Sequence, residues 1–401
     1  MKIFKINAVP YGSTAKIMLG IARVAQQRGI QTLLGCGYSY HPILELKGKY
    51  TRINGKIDKA LHMLYTRVTG LHGVYSKLVT WKLLKTLKKF KPDIIHLHNL
   101  HGWYINLPML FNYIKKNNIR TIWTLHDCWS FTGHCPHFDM IGCEKWKTGC
   151  YECPQYREYP QSWVDNSKKM YKRKKQWFTG VHDMTLITPS RWLADLTKQS
   201  FLKDYPVQVI NNGIDLNAFK PAESDFRQKY NCVDKFVLLG VAFGWGKRKG
   251  LDVFIELAKR LDDKYQIVLV GTDENTDKVL PKNIISIHRT QNQKELAEIY
   301  TVADLFVNPT REENFPTVNI EALACGIPIV TFKTGGSPEI LDKSCGVVVE
   351  KDNTDELEKQ IRYIYEHKPF AKEDCLQRAR EFDMNTKFEE YVKLYNKNDK
   401  Q

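Results

Sequence analysis

Glu313 and Glu321 are separated by seven residues in the string R-E-E-N-F-P-T-V-N-I-E-A-L-A-C-G-I-P-I-V, which runs from Arg311 to Val330 and changes character between the two acids. Phe315 closes a polar loop, and beyond it Val318, Ile320, Leu323 and Ala324 give a helix its apolar side. Pro316 suits the first turn of that helix, where a missing N–H costs nothing, and Gly326 and Pro328 end it. One carboxylate therefore precedes the helix and the other lies within it. Ionised carboxylates accept hydrogen bonds and donate none, while first-turn N–H groups draw an anion. A ligand carrying both hydroxyls and phosphate satisfies such a site.

Three other groups could do chemistry. The loop from Ala242 to Gly250, A-F-G-W-G-K-R-K-G, places Lys249 and Arg248 where they can neutralise a pyrophosphate leaving group. His126-Asp127 follows the apolar run Thr121 to Leu125, at a strand end, where open α/β sheets hold their ligands. Five of the ten cysteines fall within the 26 residues from Cys128 to Cys153. Of these, Cys135, Cys143, Cys150 and Cys153 could form a tetrahedral zinc site that is structural, because four thiolates leave no open position. Reduced, merely buried thiols are the alternative.

The elements needed to position these groups alternate. Strands are expected at Lys2 to Ala8, Ile30 to Cys36, Pro92 to His98, Thr121 to Leu125, Thr185 to Pro189 and Val207 to Ile210. Further strands are expected at Phe236 to Val241, Gln266 to Gly271, Asn283 to His288, Ala303 to Pro309 and Ile327 to Phe332. A helix from Thr14 to Arg28, capped by Ser13 or Thr14, follows the turn holding Gly12. Tyr75 to Lys91 is a basic amphipathic helix, read as a surface helix packing one face on the sheet. A second helical start, Pro338-Glu339-Ile340 after Thr334-Gly335-Gly336-Ser337, would set a second helix N-terminus beside the first. Two helices, Asp355 to Glu366 and Glu373 to Asn396, close the chain. Alternation of this kind predicts an α/β chain of parallel sheets.

The spacing Glu-x7-Glu, with F-P-T-V between and E-A-L-A-C-G-I-P after, resembles the donor-site signature of glycosyltransferase family four. Its GT-B fold implies two Rossmann-like doubly wound domains facing a central cleft. The stretch from Val207 through Asn-Gly-Ile-Asp to Phe219 resembles the interdomain segment of that family. The implied organisation is an acceptor domain over 1–205 carrying the cysteine-rich loop 128–153, a donor domain over 206–383, and a C-terminal helix, 384–401, crossing back to the first. The implied activity is transfer of a sugar from a nucleoside diphosphate to an acceptor hydroxyl, with retention and without a catalytic metal. No Asp-x-Asp metal clamp is present in the sequence.

By that resemblance Glu321 accepts the ribose hydroxyls of the nucleotide, and Glu313 holds the sugar ring without acting as a nucleophile. Phe315, Pro316, Thr317, Val318 and Gly12 border the donor. His126, in the pattern T-x-H-D, lies near the transferred sugar, and Asp127 faces the acceptor. Lys249-Gly250 matches the family, but Ala242-Phe243 stands where Gly-Arg is usual, so Arg248, or else Lys247, is the candidate substitute. A non-hydrolysing nucleotide-sugar epimerase shares this architecture. A non-catalytic zinc or nucleic-acid binding protein would leave the paired glutamates without a purpose.

Composition sets the surroundings. The chain has 401 residues, 43% hydrophobic and 26% charged, values of a globular protein. No apolar run approaches the roughly 20 residues needed to span a bilayer, and the N-terminus reads as a strand, giving an expected cytoplasmic protein. Residues 1–205 carry 32 basic against 12 acidic side chains and residues 206–401 carry 28 against 32, so the net +16 is split as +20 and −4. The basic run K-K-M-Y-K-R-K-K from Lys168, followed by Trp177 and Phe178, adds to that field. Charge alone fits either a phospholipid surface or nucleic acid; together with the family resemblance it implies an anionic membrane face and a lipid-linked saccharide acceptor, and no nucleic acid.

Overall fold

The computed structural model describes residues 1–39 and 50–396. They form two compact units, residues 1–210 with the segment from Phe388 onward, and Asn211–Lys387. The first contains β1 (Lys2–Asn7), α1 (Gly12–Gln27), β2 (Gln31–Cys36), β3 (Tyr50–Arg52), α2 (Lys56–Thr69), α3 (Lys77–Phe90), β4 (Ile94–Leu97) and α4 (Leu107–Lys116). It continues with β5 (Arg120–Thr124), α5 (Ser167–Phe178), β6 (Met184–Thr188), α6 (Arg191–Gln199) and β7 (Val207–Val209). The strands make one parallel sheet in the order β3-β2-β1-β4-β5-β6-β7, registered for example by Ile3 against Ile94 and Phe4 against Leu33. These strands are buried on both faces: β4 reads as a nearly continuous apolar run, while β1 and β5 carry buried polar residues among the apolar ones, Lys5 and Asn7 in β1 and Thr121 and Thr124 in β5.

The second unit contains α7 (Phe226–Lys229), β8 (Phe236–Val241), α8 (Leu251–Arg260), β9 (Tyr265–Val270), α9 (Glu274–Asp277), β10 (Ile284–Ile287), α10 (Gln293–Val302) and β11 (Leu305–Asn308). Then come α11 (Thr317–Ala324), β12 (Ile329–Phe332), α12 (Ser337–Ile340), β13 (Gly346–Val349), α13 (Thr354–His367), α14 (Lys372–Arg380) and α15 (Met384–Asn396), the last of which belongs to the first unit from Phe388 on. Its parallel sheet has the order β10-β9-β8-β11-β12-β13. The strand order of each sheet therefore reverses once, between β1 and β4 and between β8 and β11. The loops leaving those strands open a crevice at the carboxyl edge, where such sheets bind ligands.

Four local expectations change. α1 begins at Gly12 with Tyr11 in the capping position and no side-chain cap, because the Thr14 hydroxyl accepts from Asn7 Nδ2 at 3.3 Å instead. α3 buries Thr80 with Leu83 and Leu87 while Val79 is only half-buried, since Thr80 Oγ1 accepts the Asn106 N–H at 2.8 Å. The last long helix is broken: Phe382 enters the core, and Asp383 Oδ1 accepts the Thr386 N–H to start α15 afresh. α12 is a single turn, so the expected second N-terminus beside α11 has little dipole behind it.

Candidate active site

In the second unit, β8 and β11 deliver the two loops whose residues the sequence singled out. After β8 a short turn, Lys247–Lys249, precedes α8, and after β11 the chain runs through Glu313 to Pro316, the capping residue of α11. Lys249 Nζ and Glu313 Oε2 meet at 2.6 Å, both partly buried. Each neutralises the other, so the pair holds one cation and one anion ready at the topological switch point without leaving a charge stranded. Glu313 Oε1 also accepts the Asn314 N–H at 3.0 Å, which fixes the carboxylate plane.

Glu321, one helical turn into α11, accepts the Tyr300 hydroxyl at 3.2 Å, and that hydroxyl lies 3.3 Å from the Val318 carbonyl. Burial, then the neighbouring Glu321 charge, pushes the Tyr300 phenol well above its ordinary range, so it remains a donor. Thr317 and Val318 supply first-turn N–H groups. Phe315 differs from the expectation: its ring is buried against Phe382, with centroids 5.8 Å apart, so only its backbone can face a ligand. The Arg248 side chain is exposed, and its carbonyl accepts the Arg311 N–H at 2.9 Å. Phe243, standing where the arginine was missing, is fully exposed.

Arg311 is the residue whose role sequence reasoning missed. Its buried guanidinium forks onto Asp252 at 2.7 and 2.9 Å, and it also bonds Asp352 and the Lys247 carbonyl. One side chain thus ties the lysine turn to the glutamate loop. The adjacent loop presses in from the other side, with the Gly336 N–H on the Asn314 carbonyl at 2.7 Å.

In the first unit, His126 and Asp127 follow β5 and are joined by two residues with no strong signal of their own. His98 Nδ1 lies 3.1 Å from His126 Nε2, and His101 Nε2 lies 2.9 Å from Asp127 Oδ2, with Tyr159 OH on its other nitrogen. Burial pushes His126 down to about 4, with Asp127 opposing and His101 adding, so it is neutral near pH 7. Burial raises the Asp127 carboxyl, but the adjacent His101 and the Trp129 N–H overcome it and hold it at about 2. Gly12 lies after β1 with φ +80°, in open space.

The cysteine segment gathers Cys135, Cys143, Cys150 and Cys153 around one small pocket. Among the described residues, however, no three His, Cys, Asp or Glu side chains are grouped so as to hold a metal ion. The expected zinc set is therefore not formed: the Cys135 thiol is hydrogen-bonded to Cys153, and Cys150 Sγ accepts the Gly133 N–H at 3.0 Å. The segment has other sources of order. Phe131, Phe138 and Trp146 form a buried aromatic cluster. Lys174, from the basic run, is fully buried and donates to the Trp129 and Thr132 carbonyls at 2.6 and 3.1 Å.

A model of Glycosyltransferase Family 4 matches residues 21–218, and one of Glycosyl transferases group 1 matches residues 224–382. The chain belongs to the family four glycosyltransferases. A protein of Escherichia coli (strain K12), named as a colanic acid biosynthesis glycosyl transferase, is 26% identical over 89% of both chains. The N,N'-diacetylbacillosaminyl-diphospho-undecaprenol alpha-1,3-N-acetylgalactosaminyltransferase of Campylobacter jejuni is 29% identical over 55% of this chain and 61% of its own. Among solved structures, sucrose-phosphate synthase from Thermosynechococcus elongatus superposes with a TM-score of 0.73 at 16% identity, covering 98% of each chain. An Anabaena protein in complex with UDP gives 0.70 at 16% identity, over 98% of this chain and 99% of its own. These neighbours establish the GT-B fold of this glycosyltransferase.

Proposed function

We propose that this glycosyltransferase moves a sugar from a nucleoside diphosphate to a hydroxyl of a lipid-linked saccharide, with retention, at the cytoplasmic face of a membrane during surface polysaccharide assembly. The observation that carries the reading is the Lys249–Glu313 pair at the switch point of the second sheet. Lys249 would take the diphosphate, helped by Arg248 and the first-turn N–H groups of α11, so that charge is met where it develops. Glu313 would then accept from the sugar hydroxyls and Glu321 from the ribose. The bond from the anomeric carbon to the phosphate oxygen breaks, the acceptor oxygen forms the new one on the same face, and its proton passes to the departing phosphate. His126 and Asp127 would border the acceptor side. The names of the Campylobacter jejuni relative and of the UDP-bound neighbour support a diphospholipid acceptor and a nucleotide donor.

The test is a melting-temperature panel with UDP, GDP, ADP and their common sugar conjugates, on the wild type and on Glu321→Ala. A ligand at about 100 times its dissociation constant stabilises by about 2.7 kcal/mol. One nucleotide should shift the wild type clearly and the variant little. Equal shifts in both proteins would remove Glu321 from the donor site.

A further inference from the structure

α2 is an amphipathic helix turned inside out. Its apolar residues Ile57, Leu61, Leu64, Tyr65 and Val68 follow the i, i+4, i+7, i+8, i+11 order of a single stripe, the pattern that ordinarily faces a core. Here the whole stripe is exposed, Ile57 to 77%, and the side turned inward is polar. Hydrogen bonds fix that orientation. Asp58 Oδ2 accepts from Ser76 Oγ at 2.6 Å and from Asn54 Nδ2 at 3.1 Å. Buried His62 donates from Nδ1 to the same Ser76 oxygen at 2.7 Å. Rotating the helix to hide its stripe would break all three.

The rim is aromatic and cationic. The Trp163 N–H bonds the Arg67 carbonyl at 2.8 Å, which brings an exposed indole to the C-terminal end of α2. On α3, Leu78 and Trp81 are also exposed, with Lys85 Nζ 3.6 Å from the Trp81 ring centroid. Between residues 50 and 92 there are ten basic side chains and one acid, Asp58, which is turned inward. Protein interfaces are depleted in lysine at their cores, and a second copy of this chain would bring like charges together. A stripe of aliphatics with tryptophan and tyrosine at its edge and lysines above it matches one partner, a bilayer with anionic headgroups.

We propose that α2, with the start of α3, is the membrane-docking element: its aliphatic stripe enters the headgroup–acyl boundary while the α3 lysines engage anionic lipid. This deepens the membrane-face part of the reading above and does not depend on the donor chemistry, because lipid binding is read without any sugar. The probe is vesicles of phosphatidylcholine with about 30% phosphatidylglycerol, or none, co-sedimented with the full chain. The wild type should bind the mixed vesicles, more weakly as salt rises. The combined variant Ile57→Ser, Leu61→Ser, Leu64→Ser should bind about tenfold or more weakly, with an unchanged melting temperature because its sites are exposed. Lys82→Gln with Lys85→Gln and Lys89→Gln should remove most of the salt dependence. The proposal fails if the wild type ignores both vesicles or if the triple serine variant binds equally well. It fails too if the wild type is a dimer that this variant dissolves, since a second copy would then cover the stripe. None of these three failures touches the nucleotide panel.

Discussion

His98 and His126 share one proton across 3.1 Å between Nδ1 and Nε2, and burial decides which ring owns it. Burial holds both imidazoles neutral, so only one can donate. His98 Nε2 meets no hydrogen-bond partner among the described residues. A bare nitrogen lone pair there is cheaper than an orphaned N–H, which native structures rarely tolerate. His98 therefore donates from Nδ1, His126 accepts at Nε2, and the His126 proton sits on Nδ1. The rings stack at 5.4 Å with 16° between planes, so His98→Phe would keep the stacking and lose the bond. That variant should lower kcat by an amount on the order of 1 kcal/mol in barrier, leaving the KM for donor nearly unchanged. Long-range proton–nitrogen NMR of the wild type should show His126 protonated at Nδ1. An Nε2–H signal there would reverse the assignment.

Between elements, the positions of the candidate site residues depend on loops that touch without a side chain between them. A Cβ on Gly335 would lie 1.7 Å from the Glu313 carbonyl oxygen, and its φ is +53°. Gly335→Ala must therefore push the 310–316 loop away and open the Lys249–Glu313 pair. Gly12→Ala meets only the strain of φ +80° in open space, which costs about 1 kcal/mol. Sugar transfer by the Gly335 variant should fall well over tenfold, while the Gly12 variant should lose stability with a smaller loss of rate. Comparable rates in the two variants would mean that the loop contact does not hold Glu313 in place. The same distinction explains what the sequence revealed. The two glutamates, Lys249 and the His-Asp pair were legible because each lies in a contiguous motif at a strand end. Arg311 was not, because its partners Asp252 and Asp352 lie 59 and 41 residues away. α2 was illegible as a surface element because its apolar residues keep the helical period, and that period marks a core-facing side, whereas here His62 and Thr66 are the buried ones. The cysteine spacing suggested a metal, whereas the aromatic cluster and Lys174 that order the loop come from residues scattered among unremarkable ones.

At the scale of the molecule, the two units differ most in how they respond to acid. His62, His72, His96, His98 and His134 are buried in the first unit and His126 is half-buried, and desolvation lowers every one, His62 to about 3 and His126 and His134 to about 4. The described histidines of the second unit, His288 and His367, are exposed. A histidine whose folded pKa lies below its unfolded value of about 6.5 is taken up as a charge preferentially by the unfolded chain. Its contribution is therefore intact above about pH 6.5 and is lost as pH falls toward the folded value. For His126 and His134 the loss approaches roughly 3 kcal/mol each by pH 4. That is a large share of the stability of any single domain. Eight of the nine tryptophans lie in residues 1–205, so their fluorescence follows the first unit. The tryptophan-reported melting temperature should fall steeply between about pH 6.5 and pH 4. Replacing buried His134 by Gln, which cannot charge, should flatten the acid limb even though it lowers stability at neutral pH. A limb of unchanged slope would mean that His134 charges without leaving its site.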